Sequence, residues 1–144
     1  MIYIIVALKA EAQAFIDKNM QVIVSGMGIK NMFETTNKIV KQMHKDDIVL
    51  NVGICGASKK YEIGQLIDGF KEELTCVKDA IYDKTKYNLV DMESEGFIQA
   101  TLHVEKKYMY KVVSDYFEPE TITKDGAKKL IFDNIDEIME KIKL

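Results

Sequence analysis

Short β-branched runs alternate with longer amphipathic segments along most of this chain of 144 residues. Residues 3–8 form an apolar run of the first kind, and residues 29–43 form a segment whose apolar side chains recur at helical spacing. Because strands that alternate with helices form parallel sheets covered on both faces, this pattern predicts an α/β fold. We expect a three-layer sandwich around a central sheet that is mixed but mostly parallel.

The residue patterns also place the individual elements. Strands are predicted at residues 3–8, 21–25, 48–52, 61–67, 74–77, 89–90 and 108–113. Helices are predicted from about residue 9, from 28 to 45, from 93 to about 106, and from Thr123, the expected N-cap, to 142. The expected buried faces of the first two helices are Ala12, Phe15 and Ile16, and Ile29, Met32, Phe33, Thr36, Val40 and Met43. No repeat or linker interrupts this order, so residues 1–144 are expected to form one domain.

Composition and charge narrow the class of partner. The formal net charge of −3 gives no electrostatic reason to expect nucleic acid or an anionic membrane. The apolar runs are too short to span a bilayer, and the first residues lack the features of a signal peptide. Cys55 and Cys76 are expected to be buried thiols in a reducing compartment, which predicts a cytoplasmic protein. No spacing of cysteines and histidines indicates a metal, and no cofactor is expected.

The basic residues are all lysine, 20 in number, with no arginine. The planar guanidinium fork that binds phosphate or carboxylate through two parallel hydrogen bonds is therefore not available to this chain. A general lysine bias accounts for the composition, and the chemical consequence holds whatever its cause.

Acidic residues and glycines gather where predicted strands end, which is where open α/β sheets bind ligands. Glu11, Glu93 and Asp115 each follow a different strand. As a structural alternative, Glu11 and Glu93 could be first-turn acids that interact with a helix dipole, and Asp115 could shape a turn. A dinucleotide loop at 25–28 is disfavoured because Asn31 stands where the third glycine would be. The other residues at the expected edge are Ser25, Gly26, Met27, Gly28, Gly53, Ile54, Cys55, Gly56, Asp91, Met92, Ser94, Glu95 and Ser114.

Four motifs occur at this edge in a fixed order. They are Ser25-Gly26-Met27-Gly28, Asn51-Val52-Gly53-Ile54-Cys55-Gly56-Ala57, Val90-Asp91-Met92-Glu93-Ser94 and Val113-Ser114-Asp115. In this order they resemble the purine nucleoside phosphorylase and methylthioadenosine/S-adenosylhomocysteine nucleosidase superfamily. The opening run Ala7-Leu8-Lys9-Ala10-Glu11-Ala12 is similar to the nucleosidase segment that carries a catalytic glutamate. The resemblance extends to about Asp115 and implies a phosphorylase/hydrolase-like α/β fold.

The resemblance also implies roles for individual residues. Cleavage of an N-glycosidic bond passes through an oxocarbenium-like sugar, so the leaving base needs a proton and hydrolysis needs an activated water. Asp115 is the implied catalytic acid at the purine N7, and Glu11 is the implied base for the water. Glu93 is implied to bind the ribose hydroxyls. The other implied substrate-binding residues are Met92, Ser25, Gly26, Gly28, Gly53, Ile81, Tyr82 and Ser114.

Some positions depart from the family pattern. Nucleosidases place a stacking aromatic after Asp-Ala, whereas here Ile81 holds that position and Tyr82 follows it. Lys111 stands where some relatives carry arginine. The chain is a short member, and the missing length lies mainly between residues 67 and 75, where relatives build much of the base pocket. The base would then be bound loosely, or a neighbouring subunit would complete the site. A shortened pocket should also expose apolar surface near the site, which predicts a homodimer or larger homo-oligomer with the helix at 29–43 as its interface.

Three functions stay open at this point. The favoured one is a hydrolytic nucleosidase acting on a small purine-type nucleoside or thionucleoside. A phosphorylase would need a phosphate cradle, but Asn51 and Ile54 stand where phosphorylases of this superfamily place arginine and serine. An inactive member that binds a nucleoside or serves as an oligomeric scaffold is the third. The joint presence of the three acids Glu11, Glu93 and Asp115 favours an enzyme, whereas the shortened pocket favours an inactive protein.

Overall fold

The computed structural model describes residues 1–16 and 20–142. Its strands are β1 (Ile2–Val6), β2 (Gln21–Val24), β3 (Ile48–Ala57), β4 (Leu66–Asp68), β5 (Leu74–Cys76), β6 (Leu89–Asp91) and β7 (Lys107–Asp115). Its helices are α1 (Lys9–Gln13), α2 (Ile29–Gln42), α3 (Ser94–Ala100), α4 (Lys124–Phe132) and α5 (Ile135–Ile142). Among these helices, none has the length and apolar character needed to cross a membrane.

One mixed sheet joins all seven strands. Its centre is parallel, in the order β2, β1, β3 and β7, and β5 lies parallel to β6. Two pairings are antiparallel: β4 lies against β7, and β6 lies against the end of β3, where Val90 is opposite Gly56. The predicted α/β fold with a mixed, mostly parallel sheet is confirmed.

Apolar side chains from alternate strand positions pack against helices on the two faces of the sheet. One face carries Ile4, Val6, Leu50, Val52, Tyr110 and Val112 against Phe15 and the isoleucines 131, 135, 138 and 142 of α4 and α5. The other face carries Tyr3, Ile5, Val49 and Met109 against Met32, Ile39 and Phe97 of α2 and α3. The three layers are therefore helices, sheet and helices.

The third strand is longer than predicted, because Gly53 and Gly56 lie inside β3 and do not end it. The stretch from 53 to 56 pairs with Lys111 to Asp115 of β7, with one register shift between Cys55 and Gly56. Glycine fits at these positions because neighbouring side chains already fill the space that another side chain would need. A methyl group at Gly53 would lie 3.2 Å from Lys111 Nζ.

Other predicted boundaries were wrong for local reasons. The strand predicted at 61–67 begins only at Leu66, because Gly64 has φ of +88° and the chain turns before it. The predicted long helix from 93 ends at Ala100, where the Thr101 hydroxyl donates to the Phe97 carbonyl. Ile16 lies beyond the end of α1 and is 77% exposed, so it does not belong to the buried face.

Two helices replace the single C-terminal helix that was predicted. The break falls at Asn134, whose amide donates to the carbonyls of Leu130 and Gly64 and so ties the break to the turn before β4. The predicted N-cap is present, since the Thr123 hydroxyl accepts the N–H of Gly126. In α2, Ile39 is buried where Val40 was expected, and Phe33 is 39% exposed.

The long strand β3 positions the functional edge of the sheet. Its first half pairs with β1 and its last two residues pair with β6. The antiparallel β6 ends at Asp91, and the parallel β7 ends at Asp115, on the two sides of the carboxyl end of β3. Strands of both orientations thus bring acidic residues to the same edge of the sheet.

Candidate active site

A cavity of about 160 Å³ opens at this edge of the sheet. Its wall is mostly apolar, with four carboxylates among the described residues that line it. The four are Glu11, Asp91, Glu93 and Asp115. A largely apolar cavity with a few convergent polar groups is the usual form of a small-molecule site.

Glu11 is held rigidly at the start of α1. It is only 2% exposed, and its Oε1 accepts the backbone N–H groups of Ala7 at 3.1 Å and Leu8 at 2.9 Å. The bond to Leu8, the residue that caps the helix, is the glutamate half of a capping box. Burial raises the pKa of Glu11, and the positive charge of Lys111 and the Leu8 N–H oppose that rise.

Lys111 supplies the buried positive charge behind the cavity. Its Nζ lies 3.1 Å from Asp91 Oδ2, and both side chains are almost fully withdrawn from solvent. Burial alone would lower the pKa of Lys111, but the carboxylates of Asp91, Glu93 and Glu11 outweigh it, so the pKa is raised. The ammonium is therefore charged and serves three carboxylates at once.

Gly53 is the place where Lys111 and Glu11 approach the same backbone. A methyl group on Gly53 would lie 3.2 Å from Lys111 Nζ and 3.3 Å from Glu11 Oε2. Both charged groups thus lie close to β3 at Gly53, where a side chain would occupy the same space.

Glu93 is held by the glycine loop that precedes α2. Its Oε2 accepts the backbone N–H of Gly28 at 2.8 Å. Gly28 has φ of +94°, a conformation that glycine adopts readily. Burial raises the pKa of Glu93, against the effect of Lys111 and the Gly28 N–H.

Asp115 ends β7 on the other side of the cavity. Its Oδ1 lies 2.6 Å from the Ser114 hydroxyl, and its Oδ2 accepts the backbone N–H of Glu118 at 2.8 Å. The Ser114 hydroxyl also lies 3.1 Å from the Cys55 carbonyl oxygen. Each carboxylate oxygen thus has one donor and retains lone pairs for another.

Cys55 lines the cavity as a neutral group. Burial raises the pKa of its thiol to about 12. A thiolate is the nucleophilic form of cysteine, so the side chain acts here as an apolar wall residue. Both cysteines are free thiols.

The structure brings only part of the predicted set to the cavity wall. The predicted residues that line it are Glu11, Ile81, Met92, Glu93, Ser114 and Asp115. Gly28 and Gly53 lie behind this wall, against Glu93 and against Lys111 and Glu11 respectively. Ser25 and Gly26 lie in the loop before α2 and are not among the residues that line the cavity.

Tyr82 is not brought to the cavity. Its side chain is 62% exposed, whereas the neighbouring Ile81 lines the wall. The segment between β5 and β6 has no regular secondary structure, so no periodicity in the sequence could have shown which of the two points inward.

Sequence reasoning missed the ion pair of Lys111 and Asp91. A lysine inside a run of apolar strand residues, at 108–113, was the available signal, because a charged residue is seldom fully buried unless it is paired. Its partner is twenty positions earlier on another strand, and only the sheet brings the two together.

Within residues 1–16 and 20–142, no three His, Cys, Asp or Glu side chains come together in a way that could hold a metal ion. Three of the cavity acids, Asp91, Glu93 and Glu11, act on the ammonium group of Lys111.

Comparison with known proteins identifies the fold. No family model and no curated protein matches the sequence. The 5′-methylthioadenosine/S-adenosylhomocysteine nucleosidase of Neisseria meningitidis, in complex with methylthio-immucillin-A, has a TM-score of 0.75 at 13% identity, covering 97% of this chain and 98% of that one. The Helicobacter pylori nucleosidase with 5′-methylthioadenosine in its active site has a TM-score of 0.71 at 12% identity, covering 94% and 98%.

Futalosine hydrolase of Helicobacter pylori is also similar, with a TM-score of 0.68 at 14% identity over 94% of this chain and 97% of that one. The chain therefore has the nucleoside phosphorylase and nucleosidase fold that its motifs predicted. Within that fold, the structures it is similar to here are hydrolytic nucleosidases.

Proposed function

We propose that this chain is a nucleosidase that hydrolyses the N-glycosidic bond of a purine-type nucleoside or thionucleoside. The observation that carries the proposal is that Glu11, Glu93 and Asp115, from three distant parts of the sequence, line one cavity. Cleavage of this bond needs a base for water, a hold on the sugar and a proton for the leaving group. The likeness to nucleosidases that bind methylthioadenosine or its analogue supports the same assignment.

Glu11 is the proposed base that activates the water. Burial raises its pKa, which makes its carboxylate a stronger base than an exposed glutamate. The charge of Lys111 opposes complete neutralisation, so the carboxylate stays available to take a proton. Two backbone donors fix Oε1, the Ile54 N–H also interacts with the carboxylate, and Oε2 lies beside Gly53.

Glu93 and Asp115 are proposed to hold the two halves of the substrate. Oε2 of Glu93 is engaged by Gly28, so Oε1 is free to accept the hydroxyls of a ribose. Asp115 is the proposed acid for the leaving base. Its carboxyl plane is fixed by one donor on each oxygen. Met92 and Ile81 would contact the sugar and the base from the wall.

Hydrolysis is favoured over phosphorolysis by the charge of the site. The described residues that line the cavity include four acids and no lysine. The nearby ammonium of Lys111 is already paired with Asp91. A phosphate dianion would lose its hydration and meet like charge, whereas a neutral water would not.

A homodimer or larger homo-oligomer is part of the proposal. Met27 and Phe33 are 56% and 39% exposed, and they line a second cleft that shares Met27 and Met92 with the cavity. An apolar surface that adjoins the site indicates an interface at the start of α2. Sedimentation should show an oligomer that Phe33→Lys weakens. Phe132→Lys, at a 55% exposed position of α4, is the matched control. A wild-type monomer at high micromolar concentration would contradict the interface.

The proposal also covers the domain organisation, the cellular compartment and the partners of the protein. Residues 1–144 are proposed to be one domain that acts in the cytoplasm without a cofactor, on a small nucleoside and with neither nucleic acid nor membrane as a partner. The free thiols Cys55 and Cys76 agree with a reducing compartment. Ser25 and Gly26 are proposed to shape the loop beside the sugar, and Tyr82 to border the entrance.

The proposal is tested by incubating the purified protein with a panel of purine nucleosides and 5′-thionucleosides. Free base should be released from at least one compound. If the panel is bound but never cleaved, the chain is an inactive nucleoside-binding member of the fold.

A further inference from the structure

Phe117 adopts an unusual backbone conformation immediately after the proposed acid. Within residues 1–16 and 20–142 it is the one residue other than glycine with a positive φ, at +57°. A bulky side chain makes this conformation unfavourable, and such strain persists only where the surroundings enforce it.

The neighbours of Phe117 are fixed on both sides. The Tyr116 hydroxyl donates to the Tyr61 carbonyl at 2.9 Å, and the Glu118 N–H donates to Asp115 Oδ2 at 2.8 Å. The left-handed turn at Phe117 rotates the following peptide group, and this rotation points the Glu118 N–H back at the carboxylate. The strain and the hydrogen bond are two parts of one arrangement.

The ring of Phe117 is packed beside the same carboxylate. A methyl group on Gly56 would lie 3.3 Å from Phe117 Cδ1 and 3.6 Å from Asp115 Oδ2, so the ring and the carboxylate both lie over Gly56. Phe117 is 2% exposed, lines the cavity, and does not belong to the apolar clusters on either face of the sheet. Its ring is therefore buried at the cavity wall, outside the three apolar clusters.

We propose that Phe117 is the positioning residue for Asp115. Its left-handed backbone directs the Glu118 N–H onto Oδ2, and its ring closes the flank of the carboxylate. The inference rests on the proposed function in assigning Asp115 to the leaving base. Glycine would adopt the turn without strain but would lose the ring, so the backbone turn carries most of the positioning and the ring a smaller part.

The test separates the turn from the ring. Phe117→Gly and Phe117→Asn permit a positive φ, whereas Phe117→Val strongly disfavours it because valine is β-branched. With a purine nucleoside, Phe117→Val should lose about a hundredfold in kcat, the scale of a misplaced acid. Phe117→Gly and Phe117→Asn should lose at least ten times less. With 4-nitrophenyl riboside, whose leaving group needs no proton, all variants should stay close to the wild type.

Equal losses on both substrates, or a Phe117→Gly loss as large as that of Phe117→Val, would overturn the proposal. If Phe117→Val does not fold, full loss of kcat in both Phe117→Gly and Phe117→Asn overturns it instead.

A readout without turnover separates this inference from the proposed function. The Glu118 amide proton should be shifted downfield and protected from exchange in the wild type and in Phe117→Gly. If the Glu118 amide proton is not protected in the wild type, the inference about Phe117 is wrong. If the proton is protected but the protein cleaves no nucleoside, only the proposed nucleosidase function is wrong.

Discussion

Lys111 Nζ lies 3.1 Å from Asp91 Oδ2, with 2% and 0% of the two side chains exposed. The same ammonium also raises the ionised fraction of Glu11 and Glu93, since its charge opposes the rise in pKa that burial gives to both. One buried cation is therefore the counter-charge for three of the four acids that line the cavity.

Removal of that cation should damage both stability and chemistry. Lys111→Met leaves buried carboxylates without a counter-charge, a change that typically costs about 3–5 kcal/mol. It should also raise the pKa values of Glu11 and Glu93 further, because the opposing charge is gone. Chemical denaturation and a pH–rate profile measure the two effects. Lys111→Arg is the matched control that keeps the charge, and equal stability of Lys111→Met and the wild type would contradict the assignment.

The pH dependence of turnover should report the ionisation of Glu11. Its pKa is raised from 4.5 by burial, and the base must be ionised to accept a proton from water. Activity should therefore fall as the pH is lowered through a midpoint above 4.5. Glu11→Gln should abolish turnover at every pH. A midpoint at or below 4.5 in kcat would show that a different group is the base.

The same raised pKa has a consequence for stability. Below pH 4.5 Glu11 is protonated in both the folded and the unfolded chain, whereas above its raised folded pKa the ionised form is disfavoured by folding. Glu11 therefore destabilises the folded chain increasingly as the pH rises from 4.5 through its raised folded pKa. The melting temperature of Glu11→Gln relative to the wild type should increase from acid to neutral pH, and a decrease would refute the direction of the shift.

Glu93→Gln tests the hold on the sugar. The amide oxygen can still accept the Gly28 N–H, so the fold should be retained, while the pair of hydrogen bonds to a vicinal diol is lost. We expect kcat/KM to fall by about a hundredfold or more for a ribonucleoside. A 2′-deoxynucleoside should be affected less. Glu137→Gln, at an exposed position of α5, is the control, and equal losses on both sugars would contradict the role.

Gly53→Ala tests the close approach behind the cavity. The added methyl group would lie 3.2 Å from Lys111 Nζ and 3.3 Å from Glu11 Oε2, closer than nine in ten real contacts of this kind, so one of the two groups would have to move. Turnover should fall at least tenfold, because small displacements of catalytic groups are costly. Assays at saturating substrate measure this, and an unchanged kcat would show that neither group depends on that face of β3.

The period of the apolar residues was enough to predict the layers of the fold. Ile131, Ile135, Ile138 and Ile142 keep helical spacing through the break at Asn134, so they share one core although they belong to two helices. The break itself depends on a hydrogen bond from Asn134 to Gly64, seventy positions away, which no local pattern contains.

The acids of the site were predictable because each follows a strand, whereas their counter-charge was not. Lys111 and Asp91 lie on strands that both pair with β3 but not with each other. The length of β3 could not be predicted for a related reason. Glycines such as Gly53 and Gly56 usually indicate a loop, and only the three-dimensional structure shows the side chains that lie over them.

The most direct measurement is product analysis with purified protein in phosphate-free buffer and in phosphate. The four acids of the cavity wall favour water over a phosphate dianion as the nucleophile. Free ribose or its 5′-thio derivative should therefore appear at the same rate in both buffers, and Glu11→Gln should abolish it. Strict dependence on phosphate, with a ribose 1-phosphate as the product, would contradict hydrolysis and make the protein a phosphorylase.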